Sequence, residues 1–233
     1  MKKVGIIIFI IAVTIGVLFA NFFSFGKITT PSLFNISFNK GVRGSGTTAV
    51  ENRNVEAFKA VDVSGVFEVE VTAQKDLSVE IEADDNLLPL IKTEVRDGVL
   101  HLSTEKRVKP SNRILVRISV PDLERVNASG ASRVSVADIR NSSLEIDTSG
   151  ASKVTASGET GNLVIDVSGA SKIDTGALRS ANAEVDASGA SSVVVNVSGV
   201  LKAKASGASR IRYTGDPANI EEDTSGASKI SRR

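Results

Sequence analysis

The chain has 233 residues, with Lys+Arg 28 against Asp+Glu 27, no Cys, no Trp, one His, one Tyr and nine Phe. The absence of Cys excludes disulfides, thiol catalysis and thiolate metal sites. A net charge of +1 provides no long-range field to draw nucleic acid, so no nucleic-acid partner is expected.

Lys2 and Lys3 precede an apolar run, Val4 to Phe25, interrupted only by Thr14, Asn21 and Ser24 among polar side chains. As a helix this run is roughly 33 Å long at ~1.5 Å per residue, enough to cross a hydrocarbon core of ~30 Å. Residues 1–25 are therefore expected to be a transmembrane anchor or a signal segment. As an anchor with its lysines held in the cytoplasm, it puts the rest of the chain outside the cytoplasmic membrane, in the periplasm or on the cell surface. If it is cleaved, the protein is secreted. Residues 26–46, with Pro31 and glycines at 41, 44 and 46, read as a tether. Seven of the nine Phe lie in the first 38 residues, leaving only Phe58 and Phe67 beyond.

Residues 47–233 are expected to form one domain, with irregular coils over 47–126 and regular repeats over 127–233. In the irregular part Phe67–Ala73, Leu77–Ala83, Ile91–Arg96, Val99–Thr104 and Ile114–Val120 alternate as strands do. Asp84–Pro89 and Lys106–Asn112 read as loops.

The repeat is the dominant signal. Ser-Gly-Ala-Ser begins at Ser129, Ser149, Ser168, Ser188, Ser206 and Ser225, at steps of 20, 19, 20, 18 and 19 residues. A second Gly follows in four units, at Gly158, Gly176, Gly199 and Gly215, and Asn162, Asn182 and Asn219 precede the next copy. Gly and Asn accept the positive φ of tight corners. Between these points the segments are short and alternate, as in Ile165, Asp166, Val167. Short strands with three corners per repeat predict a parallel β-solenoid of triangular cross-section, with inward side chains stacked into a continuous core. At about 19 residues per coil, residues 41–233 would make about ten coils and a rod roughly 48 Å long, at ~4.8 Å per coil.

Gly44-Ser45-Gly46, Val61-Asp62-Val63-Ser64-Gly65 and the run Leu77 to Pro89, followed by the Ser-Gly-Ala-Ser repeats, together resemble a bacterial family. It is the auto-transporter adhesin "head GIN domain" family, a domain of unknown function. The resemblance covers roughly residues 44–233. It implies an all-β, single-stranded right-handed parallel β-helix in an exported, envelope-associated protein, and points toward adhesion. Parallel crossovers favour the same hand. The resemblance brings no catalytic residues.

Two ladders of charge emerge from the repeat. Two positions before each Ser-Gly stand Asn127, Asp147, Asp166, Asp186, Lys204 and Asp223; beyond the corner stand Arg133, Lys153, Lys172, Ser192, Arg210 and Lys229. Stacked carboxylates repel by ~1 kcal/mol per neighbour in water. Two arrangements offset this: a divalent cation held between Asp147, Asp166 and Asp186, or neutralisation by the basic ladder around the corner, with solvent. Lys204 interrupts the acidic row, which favours the second. The glycines Gly130, Gly150, Gly169, Gly189, Gly207 and Gly226, with the alanines beside them, are expected to be structural corners where larger side chains do not fit.

No catalytic residue, metal site or cofactor is predicted. A serine nucleophile needs a base and an oxyanion site, which six equivalent corners cannot each supply. His101 alternates with apolar neighbours and is expected to point outward into solvent. Polysaccharide-cleaving β-helices need paired acids in a groove, commonly with aromatic faces, and the repeats hold only Tyr213 as an aromatic. The expected function is a non-enzymatic surface or periplasmic binding module, with a structural or self-assembling envelope rod as the alternative. Expected partners are the membrane through the N-terminal helix, further copies of the chain, and an envelope or surface glycan or protein.

Overall fold

The computed structural model describes residues 41–233. The anchor or signal segment 1–25 and most of the tether lie outside the described residues. Among the described residues no helix is long and apolar enough to cross a membrane.

The described chain is built from strands. In order they are β1 (Val42–Arg43), β2 (Thr48–Asn52), β3 (Ala60–Gly65), β4 (Glu68–Thr72), β5 (Ser78–Asp84), β6 (Ile91–Arg96), β7 (Val99–Thr104), β8 (Val108–Lys109) and β9 (Leu115–Ser119). The repeats supply β10 (Arg125–Gly130), β11 (Arg133–Thr148), β12 (Lys153–Val167), β13 (Lys172–Ala187), β14 (Ser192–Val197), β15 (Val200–Ala205), β16 (Arg210–Gly215), β17 (Asn219–Thr224) and β18 (Lys229–Arg232). A single 3-10 turn, Leu88–Leu90, breaks the series.

Two long ladders meet at the Gly corner. The first runs β6-β7-β3-β10-β11-β12-β13-β15-β17 and the second β5-β9-β4-β11-β12-β13-β14-β16-β18. β11, β12 and β13 each turn through bends marked by register shifts, and so contribute to more than one face of the coil. Inward positions stack in exact-register columns. Leu100, Val61, Val126, Ile146, Ile165, Val185 and Ala203 form one such column, every member buried. Period-two alternation thus becomes a thin core of Val, Ile, Leu and Ala.

The coil count departs from expectation. Five coil-to-coil steps separate Gly130 from Gly226, so the regular solenoid has five turns, about 24 Å at ~4.8 Å each. Residues 47–124 do not add coils in sequence. β10 stacks directly on β3, and the chain between them drops to a lower level, where β7 lies under β3 and β9 under β4. Three antiparallel pairs, β2–β5, β5–β9 and β6–β7, close that end as a cap. Alternation announces strands equally well in a coil or in a cap; only non-local pairing separates the two.

Residues 41–46 belong to this folded unit. β1 pairs with β8, and the Gly44-Ser45-Gly46 loop is latched around Asp84. Asp84 is fully buried, and its carboxylate accepts from the backbone N–H groups of Gly46 (3.0 Å), Ser111 (2.8 Å) and Asn112 (3.2 Å) and from the Asn112 side chain (2.8 Å). A Cβ on Gly44 would sit 2.0 Å from the Asp84 carboxylate, which fixes glycine there.

At the corners, crowding falls on the glycines and not on the alanines. In the solenoid the corner glycines have φ between 71° and 80°, and a Cβ on Gly169 would stand 2.5 Å from the Gly150 carbonyl oxygen. The alanine after each glycine is exposed, its N–H donating to the glycine carbonyl one coil below, as from Ala170 to Gly150 at 2.8 Å. Crowding therefore constrains glycine alone. The second serine turns inward in five of the six motifs, where Ser132, Ser152, Ser171, Ser191 and Ser209 are buried, while Ser228 at the open end is half-buried. The asparagines also act differently from expectation. None of Asn162, Asn182 and Asn219 has positive φ; Asn182 instead donates its side-chain amide to Asn162 Oδ1 at 3.1 Å, one rung of a ladder.

Candidate functional site

The strand register brings the charged ladders together as columns. On the first face His101, Asp62, Asn127, Asp147, Asp166, Asp186, Lys204 and Asp223 stand rung upon rung. On the second face Leu115, Glu68, Arg133, Lys153, Lys172, Ser192, Arg210 and Lys229 do the same. The two columns flank one Gly corner.

The columns do not pair with each other across that corner. Among the described residues, no carboxylate lies within ion-pair distance of Arg133, Lys153, Lys172, Arg210 or Lys229. The acidic column finds only local help, with Asp186 4.0 Å from Lys204 and Asp62 3.2 Å from His101 Nδ1. Any mutual neutralisation of the two columns around the corner is thus through space and solvent, without a direct ion pair. Partial burial, then Glu145 and Asp166, push the Asp147 carboxyl above the usual carboxylate range, opposed by Arg125.

The cation candidates Asp147, Asp166 and Asp186 lie in a straight column and do not converge. Among the described residues no group of three or more His, Asp or Glu is placed to hold a metal. His101 is partly exposed and held by Asp62, with Glu94 opposite it in β6.

A feature with no sequence signal is a groove of about 960 Å³ where the cap meets the first coil. Phe58 and Leu77 supply its apolar lining; Lys59, Arg125 and Arg140 bring positive charge, and Asp97, Asp122, Glu124 and Glu145 negative. Most of these charges are mutually engaged. Lys59 binds Glu124 at 2.6 Å and lies 3.6 Å from Asp122, and Arg125 binds Glu145 at 2.8 Å. The Lys59 ammonium is held protonated above its ordinary range by that hydrogen bond to Glu124 and by the nearby charge. The lining comes from β3, β7, β10, β11 and the loops at Phe58, Leu77, Asp97 and Pro121, parts of the sequence too far apart for spacing to connect.

These features place the chain in the class of capped parallel β-solenoid domains. The chain belongs to the family described as "putative auto-transporter adhesin, head GIN domain", which it matches over residues 57–217. Among solved structures it is similar to a "putative adhesin" from Bacteroides fragilis, with a TM-score of 0.69 at 21% identity, covering 83% of this chain and 100% of that one. A "putative lipid binding protein" from Parabacteroides distasonis follows with a TM-score of 0.55 at 18% identity over the same shares. A "putative adhesin" from Parabacteroides merdae gives 0.50 at 18%, covering 83% of this chain and 99% of that one. At these identities the likeness is one of fold. No curated protein matches the chain in sequence.

Proposed function

We propose that the protein is a non-enzymatic, envelope-associated binding module of the adhesion type, taking its ligand in the groove between cap and solenoid. The groove carries this reading: the junction of cap and coils opens a recess of about 960 Å³, against about 330 Å³ for the recess on the strand face of the coils at Asp186, Lys204 and Asp223. An apolar lining beside mixed charge suits a glycan or protein surface. A lipid joins the candidates because one structural neighbour bears that description. A catalytic reading finds one carboxylate without an ion pair in the groove, Asp97, and no pair of such acids, since Asp122, Glu124 and Glu145 are held by cations. Residues 1–25 would keep the module at the cytoplasmic membrane facing outward, or release it if cleaved.

The test is a screen of the full chain against envelope extract, glycans and lipid vesicles, repeated with Leu77→Glu and Arg140→Glu. The reading expects a ligand whose capture both variants abolish while the melting profile is kept. Undiminished capture by both variants would remove the groove from the proposal. Binding to nothing except itself would favour the structural rod.

A further inference from the structure

The two columns, which make no ion pair with each other, carry an inference independent of the groove. Among the described residues, their only partnered members within one copy are His101 with Asp62, Asp186 with Lys204, and Glu68, 3.7 Å from Arg113. Every rung of both columns is set by the same coil repeat, so acidic and basic columns share one spacing of ~4.8 Å. Two copies laid side by side can therefore match along their whole length, and the exceptions in each column decide the register. With the copies antiparallel, Asp147 faces Lys172, Asp166 faces Lys153 and Asp186 faces Arg133. The same register sets Lys204, the lone base of the acidic column, opposite Glu68, the lone acid of the basic one. It also sets Asp62 opposite Arg210, and the neutral Asn127 opposite the neutral Ser192. The outer rungs, His101 with Lys229 and Asp223 with Leu115, add no attraction.

Five opposite-charge rungs form, none pairs carboxylate with carboxylate, and the one base-on-base rung, His101 with Lys229, lies at the end of the columns. A slip of one rung either way sets Asp186 on Glu68 or Lys204 on Arg133. The best parallel register, displaced by one coil, makes four such rungs. We infer that the acidic column of one copy docks antiparallel on the basic column of a second copy. The contact is heterologous, so each copy keeps one column free and association continues beyond a dimer. The participating side chains are exposed or half-exposed, Lys204 by 63%, Asp186 by 50%, Asp62 by 36% and Glu68 by 35%, which leaves them within reach of a neighbour and makes the contact salt-sensitive.

The experiment is sedimentation of the full chain in non-ionic detergent, at low and high salt. Species larger than the monomer are expected at low salt and should dissociate at high salt. Lys153→Glu/Lys172→Glu and Asp147→Lys/Asp166→Lys should each weaken self-association at least tenfold, and an equimolar mixture of the two should restore it. Because the chain has no Cys, Asp62→Cys mixed with Arg210→Cys should join through a short bismaleimide, since only the antiparallel register brings those rungs together. Association unaffected by either reversal, or a cross-link of Asp223→Cys with Arg210→Cys in its place, would overturn the inference. So would a strictly monomeric chain whose basic column instead captures polygalacturonate.

Discussion

Ala203, buried in β15, stands in register with Glu222 of β17 across the last parallel pair of the first face. Glu222 therefore occupies the inward column that Val185, Ile165 and Ile146 fill in the coils below. An inward charge on a terminal strand blocks further strand addition, since another coil would have to bury it. Every residue of β17 is exposed, and Glu221, Glu222 and Asp223 are consecutive.

The Glu222→Val variant is accordingly expected to associate end to end. Light scattering should show concentration-dependent growth that persists at high salt, unlike contact between charged columns. A variant that stays monomeric at high salt would show that some other feature closes this edge.

Gly169→Val and Ala170→Leu separate backbone crowding from side-chain crowding at one corner. Valine at 169 combines a φ of 75° with a Cβ 2.5 Å from a carbonyl oxygen, and should cost about 2–4 kcal/mol. That corresponds to a fall in Tm of roughly 5–15 °C for a domain of this size. Leucine at 170, where the side chain meets solvent, should stay within about 0.5 kcal/mol of wild type. Equal losses from both would show that the corner is constrained by side chains after all.

Asp147 and Asp84 predict opposite pH behaviour. The Asp147 carboxyl is raised in the fold, so its ionisation opposes folding once pH exceeds its unfolded value of about 3.9. Asp147→Asn should melt higher than wild type at pH 7, with the gain vanishing below about pH 4. Adding calcium or chelator should leave the wild-type midpoint unchanged; a calcium-dependent rise would identify the acidic column as a cation site.

Burial would push the Asp84 carboxyl up, yet the donors from Asn112, Ser111 and Gly46 outweigh it and hold the group below the usual range. Its contribution is present above about pH 3.9 and is lost as pH falls through the lower folded value. Asp84→Asn should melt lower at pH 7, because an amide turns donors toward the surrounding N–H groups. The gap should narrow near pH 3. A gap of constant size across that range would mean that the carboxylate charge is immaterial.

What could be read in the sequence divides along the range of the interactions. The corners at Gly130 to Gly226, the inward and outward alternation and both charged columns follow from a fixed repeat, in which each residue's neighbour lies one coil away. The cap does not. Pairings such as Thr48 with Asp84 and Glu80 with Arg117 join separate segments, and alternation carries no record of a partner. Asp84 ends β5, although spacing alone places it in a loop, because its burial depends on N–H groups from two other loops. The exposed corner alanines show a further limit: a recurring small residue marks a constraint without saying whether backbone or side chain imposes it.

Val126 pairs with Val61 across 65 positions, whereas Val126 pairs with Ile146 across only 20. Closing the first of these contacts is the costlier step in chain entropy, and each later coil closes a far shorter loop. Loop-closure entropy thus favours the short coil-to-coil contacts over the junction of β3 with β10, whose 65-residue span makes it the costly step in completing the fold. Since each coil of the repeat pairs with the edge beneath it, the number of coils can change without altering that junction.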